Sequence, residues 1–346
     1  MAESIRKVLF SRIRFAIAGV TPIHEMVEVF EQMSAPSQWS SPRSFSDRSS
    51  ELGEIQRVSN FAPRIPVELG QRGVSGNLEP ILTPLSLSGF DPSTIGFFEK
   101  DVRSLGFLPA LGLWSSGNDF EEAPVAPGSS LVAQLVRGDL QVGAAGTITH
   151  VDGARIYAFG HPFLGTGFTD MPMATGAVLT VISSLSTSLK VTAVGKLVGS
   201  IKQDRDTGIL GLRGEKARML PVSVRLHTSR QGVREINVEL VRDPFLTPLL
   251  ANLAVFNSLV SSERSTGLQT FRVDIRIAIE GQPAVRYSRN TGAMADAALT
   301  VGGVLDLLMN SGFDDMPVET VHVDIQAVEE KLAATLEQVW VDKQQV

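Results

Sequence analysis

His161 closes an apolar-alternating run, Arg155 to Phe159, within the triplet Gly160-His161-Pro162. A glycine lets the backbone turn sharply and a proline cannot donate to a strand ladder, so the imidazole is carried off a sheet end onto a loop. An imidazole presented there suits general-base work, and it suits a structural role equally well. Asp170 and Asp204 lie within loop reach of it, and spacing alone does not say which would orient the ring. His150 and Asp152 fall on one face of the preceding strand and, with His161, make the only set that suggests a metal or small-molecule site. An aspartate beside a turn, however, is usually turn chemistry. The chain has no cysteine, which excludes a thiolate nucleophile, a disulfide and a zinc-thiolate site.

The element that must position His161 is a hairpin. Thr147 to Val151 alternates, Asp152-Gly153 follows, and a second strand runs through Tyr157 and Phe159. Asp-Gly between two such runs predicts a two-residue type I′ turn, which needs positive φ at both central residues. Further strands are expected at Leu131–Val136, Val178–Leu185, Leu189–Val198, Ile209–Leu212, Pro221–Thr228, Val233–Val241, Phe271–Ile279, Val318–Val328 and Thr335–Val341. Thr21-Pro22 predicts a helix start, with Ile23, Met26, Val27 and Phe30 as its apolar stripe and His24 toward solvent. Asp91-Pro92-Ser93 begins a second helix, stopped at Gly106, with Phe97, Phe98, Val102 and Leu105 inward. Phe245–Val260 and Met294–Met309 are two apolar helices for the core or an interface.

Residues 34–50 hold eight serines in seventeen positions and no period that could bury a face. The expected organisation is an N-terminal strand and helix at 1–33, a Ser-rich flexible linker at 34–64, a mixed strand and helix segment at 65–125, and a β-rich domain at 126–346. At 346 residues and 43% hydrophobic, the chain can bury one large core or two moderate ones. Its net charge of −6 argues against nucleic acid or an anionic membrane surface as partner. No segment reaches the roughly 18 apolar residues of a membrane-spanning helix. Arg6, Lys7, Arg12 and Arg14 interrupt the first apolar residues, so no secretory h-region is present. If Met1 is the true start, the chain is expected to stay in the cytoplasm.

Two segments, Gly146-Thr-Ile-Thr-His-Val-Asp152 and Tyr157-Ala-Phe-Gly-His-Pro-Phe163, resemble the strand, turn and histidine region of the SpoIVB peptidase family, serine peptidases of bacterial sporulation signalling. The likeness continues through Val194–Ile201, Asp206–Gly211 and Met219–Val222. Thr169-Asp170-Met171-Pro172-Met173 is similar to a secreted, non-sporulation branch of that family. The resemblance covers roughly residues 80 to 345. It implies mainly β architecture with packed helices (an α+β chain), as barrel-like antiparallel sheets of the trypsin-like kind. It also implies His161 as the catalytic histidine, a peptide or protein substrate, and a periplasmic or extracellular location; no cofactor is expected, because the apolar helix faces carry no ligands for one.

The family's nucleophile lies in a Gly-Met-Ser-Gly-Ser-Pro type motif, and these 346 residues contain none. In the secreted branch that motif precedes a segment matched here by Ile17-Ala18-Gly19-Val20-Thr21-Pro22-Ile23-His24-Glu25-Met26. The chain is therefore expected to be the family fold without its N-terminal portion, the triad's acid being lost with the serine. Gly73-Val74-Ser75-Gly76 is a partial echo that lacks the following Ser-Pro and reads as a turn serine. The leading expectation is a serine peptidase-like domain, inactive alone. The alternative is a non-catalytic β-rich module that binds extended peptides by edge addition.

Overall fold

Leu220, Val222, Val224 and Leu226 alternate with Met219, Pro221, Ser223 and Arg225, and all four of the first set are buried. A two-residue period is satisfied by extended backbone with one face on a core. The same logic, repeated along the chain, gives a mainly β molecule. The structure, a computed structural model, describes residues 8–10, 15–17, 22–32, 82–112, 124–182, 189–228, 232–262, 269–312, 317–330 and 332. The expected strand at Thr335–Val341, the Thr21 cap, the Ser-rich segment and Gly73–Gly76 lie outside these residues.

In chain order the elements are β1 (Val8–Phe10), β2 (Phe15–Ile17), α1 (Ile23–Gln32), β3 (Thr83–Ser88), α2 (Pro92–Ser104), β4 (Phe107–Leu111), β5 (Ser130–Gly138), β6 (Gln141–Asp152), β7 (Arg155–Ala158) and β8 (Gly167–Ile182). They continue with β9 (Leu189–Arg205), β10 (Gly208–Arg213), β11 (Met219–Thr228), β12 (Gly232–Val241), α3 (Leu246–Val260), β13 (Thr270–Ile279), β14 (Gln282–Thr291), α4 (Met294–Met309) and β15 (Val318–Val328). β1 and β2 form a separate pair. All other strands join one mixed sheet in the order β14-β13-β15-β11-β12-β5-β8-β9-β10-β7-β6-β3-β4. β5 also pairs with β6, so the hydrogen-bonding path β5-β8-β9-β10-β7-β6 returns to its start. With β8, β6 and β12 all bonded to it, β5 is buried along Ser130–Val136, as its near-continuous apolar sequence requires.

Barrel-like antiparallel sheets were the expectation, and two pairs depart from it: β3 with β4 and β11 with β15 run parallel. A parallel neighbour needs a crossover longer than a hairpin. Here α2 fills the first crossover, and β12, α3, β13, β14 and α4 fill the second. β3 and β4 precede residue 126 and join the sheet through β6. Phe98, Val102 and Phe107 share one apolar cluster with Leu131 and Val142.

α3 lies against β11, β12, α2 and α4, which explains a helix apolar on every side, with Leu246 to Leu259 all buried. Its two asparagines join elements. Asn252 Oδ1 accepts from Gly302 N on α4 at 2.8 Å, and Asn257 Oδ1 accepts from Asp91 N at the start of α2, also at 2.8 Å. Phe97, expected inward, is 46% exposed, although its ring stacks on Phe256 at 4.5 Å. Phe98 takes the inward position, one helical step away. His24 is exposed, as expected. No helix among the described residues is long and apolar enough to cross a membrane.

Candidate functional site

The hairpin leading to His161 forms one residue later than its sequence suggests. Asp152 pairs with Arg155, so Gly153 and Ala154 make the connection. Gly153 alone takes positive φ, 56°, which excludes the expected type I′ turn. A register irregularity between Ile148 and His150 then sets His150 opposite Tyr157, ring centroids 5.9 Å apart. Asp152 stands exposed beside the turn. Among the described residues no group of three His, Cys, Asp or Glu side chains could hold a metal ion.

β7 ends at Ala158, and Phe159 adopts φ 75°, the single non-glycine residue with positive φ among the described residues. A bulky side chain there costs on the order of 1–3 kcal/mol unless its surroundings hold it. The surroundings do. Phe159 N donates to Thr147 O at 3.0 Å, and its ring lies where a Cβ on Gly146 would collide with it. The ring also meets His161 and Phe163 edge-on, at 5.8 and 5.7 Å. Gly160 follows at φ 72° and reverses the chain. His161 emerges exposed, on a loop as expected. Its Nδ1 lies 2.8 Å from Pro162 O. A carbonyl can only accept, so Nδ1 carries the hydrogen, and Nε2 is the basic nitrogen of the neutral ring.

The loop after His161 is held from two sides. Phe163, 5% exposed, inserts between the rings of Phe107 and Phe159. Asp204, at the end of β9 and fully buried, accepts hydrogen bonds from Phe163 N (2.8 Å), Leu164 N (2.6 Å) and Gly165 N (2.8 Å), and Thr166 N adds a fourth. Burial pushes the Asp204 carboxyl above its ordinary value, against the pull of these four amides. Asp204 thus holds the backbone that carries the imidazole, and the imidazole's own hydrogen bond goes to Pro162.

Asp170, the other acid within sequence reach, is engaged elsewhere. It accepts from Ser200 Oγ (2.7 Å), Lys202 Nζ (2.8 Å) and Arg218 N (2.8 Å), and Lys202 also reaches Glu215 at 3.1 Å. Burial raises the Asp170 carboxyl, but the Arg218 amide, Lys202 and Ser200 outweigh it, and the group sits below its ordinary value of 3.8. A depressed folded value means stability present above 3.8 and lost as pH falls through that lower value. Asp170→Asn is expected to cost about 1–2 kcal/mol at neutral pH. The difference from the parent chain should vanish in acid. Urea midpoints at about pH 7 and about pH 2.5 check this; an equal difference at both would rule out the assignment.

Three residues here escaped sequence reading. Phe159 looked like the end of a strand, because left-handed backbone in a Phe has no compositional signal. Arg205 and Gly208 flank a turn whose neighbours are set by long-range packing. Arg205 Cζ lies 4.8 Å over the Phe168 ring. Gly208, at φ 143°, abuts Met26, Ala158 and Gly160. Comparisons of the chain with protein-family models, with curated proteins and with solved structures find no match in any of the three.

Proposed function

We infer that the chain carries the body of a SpoIVB-type serine peptidase domain, with the closed six-strand path as its barrel-like, trypsin-type element and His161 as the general base. The observation that carries this reading is the exposed imidazole with Nδ1 tied to a carbonyl, on a loop anchored beneath by a buried carboxylate. In that tautomer Nε2 takes the proton from a hydroxyl nucleophile and returns it to the leaving amine. The hydroxyl belongs to the Gly-x-Ser-Gly-x-Pro motif, which these residues lack. The chain alone is therefore inactive.

The test extends the chain at its N-terminus with a segment bearing that motif from a SpoIVB-type peptidase and applies a fluorophosphonate probe. The unextended chain should take no label. The extended chain should be labelled at the motif serine, at a rate that His161→Ala lowers at least about a thousandfold. Labelling of the unextended chain, or labelling indifferent to His161, would overturn the reading.

One observation favours the alternative of a non-catalytic peptide-binding module. β14 ends the sheet, with no strand hydrogen-bonded to its outer side among the described residues, and Tyr287 is 42% exposed on it. An open edge accepts an extended peptide as a further strand. Peptide binding that protects β14 amides from hydrogen exchange and survives His161→Ala would select this reading.

A further inference from the structure

Three buried side-chain polar atoms among the described residues have no hydrogen-bond partner: Thr192 Oγ1, Arg205 Nη2 and Thr207 Oγ1. Two of the three lie where one turn joins β9 to β10: Arg205 closes β9 and Thr207 is in the turn. Buried polar groups are almost always paired, because an unpaired one forfeits its hydration without replacement, so two in one turn need a reason.

The turn's position supplies one. Just before it, at the end of β9, Asp204 holds the amides of residues 163–166. Arg205 Nη1 lies against Gly167, where that loop enters β8, with a Cβ position 3.3 Å away. At the other side Gly208 abuts Gly160 N, immediately before His161, at 3.2 Å by the same measure. The turn and the His161 loop are therefore wrapped around each other over residues 160–167.

Within this arrangement the Arg205 guanidinium is only partly engaged. Nε donates to Gln203 Oε1 at 3.2 Å, and the plane packs on Phe168. Among the described residues no carboxylate pairs with it, and both Asp204 oxygens are taken by loop amides. The free groups are two donors, a guanidinium N–H and a hydroxyl. Two free donors two residues apart, one of them cationic, are the donor types that pair with a carboxylate.

We propose that Arg205 and Thr207 form a carboxylate subsite beside His161, which accepts a peptide bearing an acidic side chain or a free C-terminus next to the reacting bond. The peptide as ligand rests on the peptidase reading; the preference for a carboxylate rests on the orphaned donors. Entry requires the Gly165–Gly167 end of the loop to swing away from Arg205 and to release the Gly165 and Thr166 amides from Asp204. Gly160, Gly165 and Gly167, all at positive φ, give that movement its hinges.

Calorimetric titration of the full chain with acetyl-Ala-Glu-Ala-amide, acetyl-Ala-Gln-Ala-amide and acetyl-Ala-Ala with a free carboxylate tests this. The glutamate peptide should bind about tenfold tighter than its glutamine isostere. The free-carboxylate dipeptide identifies the source, according to whether it matches or falls short of the glutamate peptide. Arg205→Gln should abolish the glutamate preference, Thr207→Val should weaken it about threefold, and Arg205→Lys should retain part of it, because the charge stays while the fork is lost. Circular dichroism confirms that each variant is folded, and Arg205→Lys keeps the test open if Arg205→Gln is not. Equal affinity for the two isosteres, no binding of any peptide, or a preference that survives both Arg205 variants would overturn the proposal. A preference that depends on Arg205 but coexists with His161-independent labelling would leave the subsite standing and remove the peptidase reading.

Discussion

Asp204→Ala is expected to destabilise the chain by about 2–4 kcal/mol and to free the loop that presents His161. One buried carboxylate serves four consecutive amides, at residues 163 to 166. Each buried donor left without an acceptor costs about 1–3 kcal/mol, but a glycine-containing surface loop can open and rehydrate, which caps the total well below the sum. Amide exchange at these four positions should accelerate selectively, while that of β11 to β15 follows global stability. The pH dependence carries its own sign. Because burial raises the folded value, the group's contribution is full below its ordinary 3.8 and declines as pH rises through the folded value. Asp204→Asn should remove that slope and keep one acceptor, at a cost below that of alanine. Unchanged exchange at residues 163–166 in the alanine variant would show that Phe163 alone anchors the loop.

Gly208→Ala is expected to cost about 3 kcal/mol or more and to act on the same loop from its other flank. The backbone at φ 143° is one that L side chains rarely adopt. A Cβ there would overlap Met26 Cε and stand 2.7 Å from Ala158 O. The methionine end can move, but the carbonyl is fixed by the pairing of Ile209 with Ala158. Relief would have to come from displacing β7, and with it Phe159, Gly160 and His161. Thermal unfolding together with the chemical shifts of His161 reads both effects. A loss under about 1 kcal/mol with unmoved His161 signals would show that the turn shifts freely, and the wrapping of turn and loop would then not hold.

Much of the chain's architecture follows from local pattern. The strands at Val318–Val328 and around Pro221–Thr228 and the helices at Met294–Met309 and Leu246–Val260 are legible because period 2 or 3.6 in apolar residues has few backbone solutions. β14 is not, since Gln282–Thr291 is largely exposed and carries no apolar alternation. β8 and β9 run far past the expected segments, to Gly167 and Arg205, because their ends are polar and glycine-bearing strands held by neighbours on the sheet.

At the site, Gly160-His161-Pro162 by itself determined that the imidazole leaves a strand end, since glycine and proline impose that on any fold. Which groups support it was decided in three dimensions. Asp204 lies 41 residues from Phe163, Phe107 still farther away, and Arg205 and Thr207 have no local feature that marks them as unpaired. A side chain's partners depend on which strands become neighbours, and strand order is settled by burying the whole apolar surface at once rather than by any local spacing.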